Sequence, residues 1–253
     1  MNAGMRQSID FRRVRHHLES LRLAGVEWVA GARVSGIAEG IGSSPQIHCG
    51  GEAVVPAGEE LNRSVQEELE ALRVKVSACT RCPALASCRT QTVFGVGRLH
   101  PELCFVGEAP GADEDAQGEP FVGAAGQLLN RIIGACQMRR EDVYICNIIK
   151  CRPPGNRTPL PDEIANCREY LENQLELVRP RFICALGSTA AHSLLGTTLA
   201  MGKLRGRFHD YKGIPTIVTY HPAYLLPHRA PHMKNEVWKD MKMLLARMGR
   251  PVA

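Results

Sequence analysis

From residue 103 onward, short apolar runs alternate with stretches in which hydrophobic positions recur every three or four residues. Leu103–Gly107 (LCFVG) is a continuous apolar run ending at glycine. Runs of this length, bounded by turn residues, predict strands buried on both faces. Val143–Ile149, Phe182–Leu186 and Ile214–Thr219 repeat the pattern and predict three more. Between them, Ala125–Cys136 places Leu128, Leu129, Ile132 and Ile133 on one helical face. Pro161–Val178 opens with Pro161, Asp162 and Glu163, a helix-start signature. Further helices are predicted over Ser188–Leu195 and from about Lys234 to Met248. This alternation predicts an α/β fold with a largely parallel sheet, whose ligands bind beyond the carboxyl ends of the strands. Candidate chemistry is therefore expected just after Gly107, around Asn147 and after Thr219.

The first third has another texture. Phe11–Leu23 carries Phe11, Val14, Leu18 and Leu21 at helical spacing among Arg12, Arg13, Arg15 and Arg22. Such a basic helix either touches phosphates or packs as an ordinary solvated helix. Gly, Ser, Ala and Pro accumulate from Ala30 to Gly58 and predict a flexible linker. Leu61–Ser77 is helical in pattern again and leads straight to Cys79. The expected organisation is a basic helical segment over 1–29, a linker over 30–60 and a folded domain over 61–253.

Composition narrows the class. With 44% hydrophobic and 23% charged residues, wholesale disorder is excluded. No run of about 18 apolar residues is present, so no membrane span is expected. The first twenty residues hold no apolar signal region, which predicts a cytoplasmic protein; a monomer is the default expectation. A net charge of +5 permits a nucleic-acid partner without requiring one.

Ten cysteines in such a chain point to metal ligands sooner than to a disulfide framework. Cys79 and Cys82 form a C-x-x-C pair, and Cys151 and Cys167 flank the Pro-rich loop in KCRPPGNRTP. Taken singly, Cys151 and Cys167 read as small buried hydrophobes. Taken with the pair, and with Pro153, Pro154 and Pro159 stiffening the loop, they predict a four-thiolate site for zinc or an iron–sulfur cluster. Cys88 is a reserve ligand; Cys104, Cys146 and Cys184 fall inside predicted strands, and Cys49 and Cys136 carry no assigned role.

The loops after the strands hold the remaining candidates. Gly107-Glu108-Ala109-Pro110-Gly111 is neither a Walker loop nor G-x-G-x-x-G, so no nucleotide cofactor is implied. Its small residues would let a ligand approach the backbone beside Glu108. Phe121, between Pro120 and Val122-Gly123, either fills core or offers a face to a planar ring. Asn147 has one acceptor and two donors, enough to read the edge of an amide-bearing heterocycle or to tie down a loop. His221 after the fourth strand is an electrophile or acid/base candidate. Lys203, Arg205 and Arg207 lie in a Gly-flexed basic turn suited to phosphates, although solvated turns look alike.

Three segments in order, GEAPGADEDAQGEPFVGAAGQLLNRII, VYICNIIKCRPPGNRTPLPDE and YHPAYLL, resemble the family-4 uracil-DNA glycosylases with an iron–sulfur cluster. The likeness runs from about Cys79 to Met248; residues 1 to about 70 lie outside it. It implies a three-layer α/β/α sandwich with a four-stranded, mainly parallel sheet. It further implies an enzyme that flips uracil from single- or double-stranded DNA and hydrolyses the N-glycosidic bond, leaving an abasic site for base excision repair. Cys79, Cys82, Cys151 and Cys167 match the ligands of a 4Fe–4S cluster, which demotes Cys88. Phe121 matches the residue that stacks on uracil, within a pocket that includes Ala109, Pro110 and Gly111. Asn147 matches the residue that bonds the uracil edge and disfavours cytosine. Glu108 matches the carboxylate that positions water or stabilises the sugar cation, Glu114 a second acidic pocket residue, and His221 the residue bonding uracil O2 as charge develops there.

Leu225 and Leu226 are the expected wedge into the gap left by the base, and Lys203, Arg205 and Arg207 the phosphate contacts. Three departures shape these expectations. Pro227 stands where members often carry a basic residue, which leaves the inserting loop's shape open. The Cys151–Cys167 loop lacks the Lys-Arg-Arg-Ile-His insertion of a related group that bonds covalently to uracil-DNA. Glu108 replaces the apolar residue of broader-specificity relatives, so a turnover enzyme selective for uracil is expected. The alternative is a catalytically silent iron–sulfur module that binds DNA and attaches to replication or repair machinery through residues 1–70.

Overall fold

The computed structural model describes residues 57–251; the predicted basic helix over 11–23, Cys49 and the predicted linker up to residue 56 lie outside the described residues. Helices are α1 (Ala57–Ser77), α2 (Pro83–Cys88), α3 (Ala112–Gln117), α4 (Ala124–Ala135), α5 (Pro161–Val178), α6 (Ser188–Leu195), α7 (Met201–Leu204) and α8 (Lys234–Met248). Strands are β1 (Val96–Gly97), β2 (Leu103–Gly107), β3 (Tyr144–Asn147), β4 (Phe182–Leu186), β5 (Phe208–Tyr211) and β6 (Ile214–Thr219). Residues 57–60, expected as linker, already belong to α1.

One sheet runs in the order β1-β3-β2-β4-β6-β5. Its four inner strands are parallel and are the four expected; β1 and β5 add an antiparallel strand at each edge. β1 has only two residues and β5 reads FHDY, so neither carries an apolar run. β5 is fixed by its turn: Lys212 and Gly213 both have positive φ, 50° and 85°, the geometry of a tight hairpin into β6.

Neighbouring residues on each inner strand serve opposite layers, which is why the strands are apolar throughout. Val106, Cys146, Ile183, Ala185 and Val218 pack with Leu171 and Leu175 of α5 and Ala190 and Leu194 of α6. Phe105, Ile145, Cys184 and Ile217 pack with Leu129 and Ile133 of α4 and with Met241 and Leu244 of α8. The result is the expected α/β/α sandwich. α1 lies outside it, with Leu72 and Val76 against Tyr170 of α5. α5 begins at Pro161, where the Glu163 carboxylate accepts from the Leu160 N–H at 2.8 Å, and it ends at the left-handed Arg179 before Pro180.

The chain passes from β2 to β3 over one face through α4, and from β3 to β4 over the other through α5. The two connections diverge around β2, so a crevice opens beyond its carboxyl end. Among the described residues no helix is long and apolar enough to cross a membrane.

Candidate active site

A pocket of about 620 Å³ fills that crevice. It gathers the three places singled out by the strand pattern: Glu108–Gly111 after β2, Asn147 at the end of β3, and His221 after β6. Phe121 and Glu114 line it as well, and the segment 153–158 forms a further wall.

Gly107, at the end of β2, leaves the space that two pocket residues occupy. A Cβ there would fall 2.4 Å from Asn147 Oδ1 and 2.5 Å from the tip of the Phe121 ring. Phe121 itself is 5% exposed, its ring 5.5 Å from the His221 ring at a 31° tilt. It has a φ of 55°, a left-handed conformation that costs a non-glycine residue about 1–2 kcal/mol. Helix α4 presses on it closely enough that a Cβ at Gly126 would overlap the Phe121 carbonyl oxygen at 1.8 Å.

Glu114, expected as an acidic pocket residue, has both carboxylate oxygens occupied. One carboxylate oxygen accepts from the N–H groups of Val122 and Gly123, at 2.9 and 3.0 Å, and the other from Gly111 at 3.1 Å. Both oxygens thus accept from backbone N–H groups, and Glu114 laces the loop after β2 to the Phe121 loop.

Asn147 is 1% exposed, and its Oδ1 is the one buried side-chain polar atom without a hydrogen-bond partner among the described residues. Such an acceptor costs about 1–3 kcal/mol when unmet, so it asks for a donor from outside the protein. Its backbone is anchored by a buried polar chain. Lys150 Nζ donates to the Asn147 carbonyl at 3.0 Å and to Gln174 Oε1, while Gln174 Nε2 donates to Phe94 O and Tyr144 Oη.

His221 Nδ1 accepts from the Ala223 N–H at 3.1 Å. Burial pushes the imidazole down to about 4; the Glu114 carboxylate opposes this and the Arg229 cation adds to it. At neutral pH the ring is therefore uncharged, and with Nδ1 accepting, its proton sits on Nε2 as a donor.

Two expectations fail for reasons of packing. Arg205 has a side chain only 10% exposed; its Nε donates to Asp240 at 2.7 Å, Nη2 to the Glu236 carbonyl at 2.6 Å, and the guanidinium lies 4.4 Å over the Tyr220 ring. Thr219 donates to the same Asp240 oxygen at 2.6 Å. Arg205 thus braces the segment leading to His221 and is not available to phosphate, whereas Lys203 and Arg207 are exposed. Leu225 is 1% exposed and packs with Leu128, Val237 and Met241, and Leu226 is half-buried against the same cluster, so neither stands out as a wedge. The exposed large apolar side chain of that loop is Tyr224, 42% exposed at the pocket mouth with its ring 5.4 Å from Tyr220. Lys150, Arg157, Tyr224 and Arg229 were not singled out from sequence; a lysine directly after an apolar strand was the available signal for the first.

Cys79, Cys82, Cys151 and Cys167 line a second, small cavity of about 20 Å³, and Cys88 is exposed and outside it. Arg89 donates to Cys151 Sγ at 3.1 Å and to the Cys79 carbonyl at 2.7 Å; Asn166 donates to Cys82 Sγ at 3.5 Å. Burial pushes the Cys167 thiol up to about 11, against the pull of Lys150, and raises Cys151 against the pull of Arg89. Among the described residues no three His, Cys, Asp or Glu side chains form a site for a single metal ion. Four thiols around one cavity, two of them already receiving N–H donors, nevertheless match in kind and number the Cys₄ set that holds an iron–sulfur cluster. Glu163 also lines the cavity, but its carboxylate is taken by Arg157 at 2.6 Å. The residues fit the group.

A mostly parallel sheet between two helical layers, with one pocket beyond the carboxyl ends of its strands, defines the class: an α/β/α protein with the ligand site of such sheets. The family model described as the uracil DNA glycosylase superfamily matches residues 94–242. The type-4 uracil-DNA glycosylase of Thermotoga maritima is 44% identical over 179 residues, covering 70% of this chain and 93% of that relative. The type-4 enzyme of Archaeoglobus fulgidus is 41% identical over 188 residues, 70% of this chain and 92% of its own. A type-5 uracil-DNA glycosylase of Pyrobaculum aerophilum is 32% identical over 180 residues, 58% of this chain and 79% of its own. The chain belongs to the uracil-DNA glycosylase superfamily, with the type-4 enzymes.

Proposed function

We propose that this protein removes uracil from DNA by hydrolysing its N-glycosidic bond, leaving an abasic site for repair. The observation that carries the reading is the orphaned Oδ1 of Asn147. Uracil presents an N3–H donor on its edge; cytosine presents a lone pair at that atom, which would face the same oxygen with nothing to share. A base inside a duplex cannot reach this atom, so the nucleotide is flipped out, and stacking with edge hydrogen bonds offsets the few kcal/mol of unstacking.

In the pocket the Phe121 ring takes the face of the base. The neutral His221 donates from Nε2 to uracil O2, where negative charge accumulates as the bond breaks. An uncharged donor placed there stabilises the departing anion without first being desolvated as a cation. Glu108 stands at the mouth, where a carboxylate stabilises the oxocarbenium-like sugar and orients the attacking water. Glu114 acts one step removed, by fixing the loop walls around the base and so helping to leave no room for the methyl group of thymine. Lys203 and Arg207, together with Arg229 at the rim, supply positive charge for the DNA backbone.

Cys79, Cys82, Cys151 and Cys167 would hold a 4Fe–4S cluster, which supplies a cross-link between chain segments and takes no part in bond cleavage. Its ligands tie the stretch between α1 and α2 to both ends of segment 151–167, whose middle lines the base pocket.

A silent DNA-binding module has no use for a buried acceptor held open above an aromatic ring. One assay decides between the readings. Single-uracil oligonucleotides, single-stranded and duplex, should yield free uracil and an alkali-cleavable abasic site, while the matching cytosine oligonucleotides yield neither. A folded, brown preparation inert on both would overturn the enzymatic reading.

A further inference from the structure

Phe121 keeps its left-handed conformation because the loop around it is gripped from two sides. The N–H groups of Val122 and Gly123 are held by Glu114. The carbonyls are held by Arg140. Its Nη2 donates to the Pro120 carbonyl at 2.5 Å and to Glu119 at 3.0 Å, and its Nη1 to the Phe121 carbonyl at 3.3 Å and to Asn130 Oδ1 at 2.9 Å. One planar guanidinium thus spans two successive carbonyls, a fork geometry that a lysine cannot reproduce. Returning Phe121 to an ordinary negative φ would reorient the peptide planes that these donors hold.

Arg140 opens a short 3₁₀ turn, residues 140–142, and Val143 then leads directly into β3, which ends at Asn147. The segment that reads the edge of the base therefore also fixes the side chain presented to its face. Arg140 is not among the residues lining the pocket, and its side chain is 23% exposed.

We propose that Arg140 is a positioning residue for base recognition, locking Phe121 in the conformation that presents its ring to the flipped nucleotide. The inference rests on the reading of Phe121 as the stacking face. Arg140 acts through Phe121 and touches neither base nor phosphate.

The test is a double-mutant cycle on a single-stranded uracil oligonucleotide, with melting temperature measured for every variant. Arg140→Ala should lower kcat/KM by about tenfold, within the range for directly coupled neighbours. Arg140→Lys should recover part of the loss. Once Phe121→Ala is present, adding Arg140→Ala should cost less than about twofold, because the ring it positions is gone. If Arg140→Ala folds poorly, Asn130→Ala loosens the guanidinium without touching the loop, and its smaller loss should vanish in the Phe121→Ala background in the same way. An equal loss in both backgrounds would overturn the proposal alone, as would a shallower salt dependence in Arg140→Ala, the mark of a lost phosphate contact. Full activity in Phe121→Ala, or wild-type protein inert on uracil-DNA, would overturn the stacking reading and this inference together.

Discussion

The base pocket and the cysteine corner share the segment 151–167 yet are built on opposite plans. The pocket encloses about 620 Å³, and on its wall stands Asn147 Oδ1, the one buried side-chain polar atom without a hydrogen-bond partner among the described residues. The corner has about 20 Å³, four thiols drawn from three separate stretches of chain, and N–H donors already on two sulfurs. A site that accepts and releases a guest keeps one interaction unmet until the guest arrives. A site for a resident group brings distant parts of the chain together around it and leaves little space to spare.

The largest expected effect separates the two directly. Cys151→Ser should abolish the brown colour of a 4Fe–4S cluster and lower the melting temperature, because the cross-link is lost. A colourless wild-type protein containing zinc would break the comparison on the corner's side. His221→Ala and Asn147→Ala should each lower the single-turnover rate by about 10²-fold, as for loss of one transition-state hydrogen bond, with colour unchanged. Leu225→Ala should behave as a core substitution, costing about 2–5 kcal/mol of stability in denaturant titration. Its residual activity on duplex and single-stranded substrates should fall together; a loss confined to duplex would restore the wedge reading.

The smallest effect is on pH. His221 has its folded pKa lowered to about 4 from 6.5, so the unfolded chain binds the extra proton first. The stability it contributes is complete above pH 6.5 and is lost as the pH falls toward 4, up to about 2 kcal/mol at pH 5. Chemical denaturation between pH 7 and 5 should show a slope in wild type that is shallower in His221→Ala. Parallel slopes would mean that the imidazole is not buried as the pocket requires.

Much of the framework was legible because the sequence states it locally. Pro161 and Asp162-Glu163 mark the start of α5, and continuous apolar runs mark the four inner strands. The edge strands were not legible: β1 is two residues long, and β5 owes its place to the Lys212-Gly213 hairpin. Among candidate residues, Glu108, Phe121, Asn147 and His221 could be singled out since each lies at or just past a strand end or breaks a small-residue loop, and they line one pocket. Arg205 was misread because the partner that buries it, Asp240, lies 35 positions away. Leu225 was misread because burial is settled by α4 and α8, not by its own loop. Arg140, Lys150 and Arg89 escaped for the same reason: each works by reaching a backbone carbonyl or a sulfur that no local pattern announces.

Gly107 carries a consequence for how this pocket could ever change. A single methyl group added there would collide with Asn147 and Phe121 at once. Every one-step replacement at that position therefore forces a shift of the Asn147 amide and the Phe121 ring, the two groups proposed to meet the base. The proposed preference for uracil would then shift at lower cost from the walls, through Glu108, Ala109 or the 153–158 segment, than from Gly107.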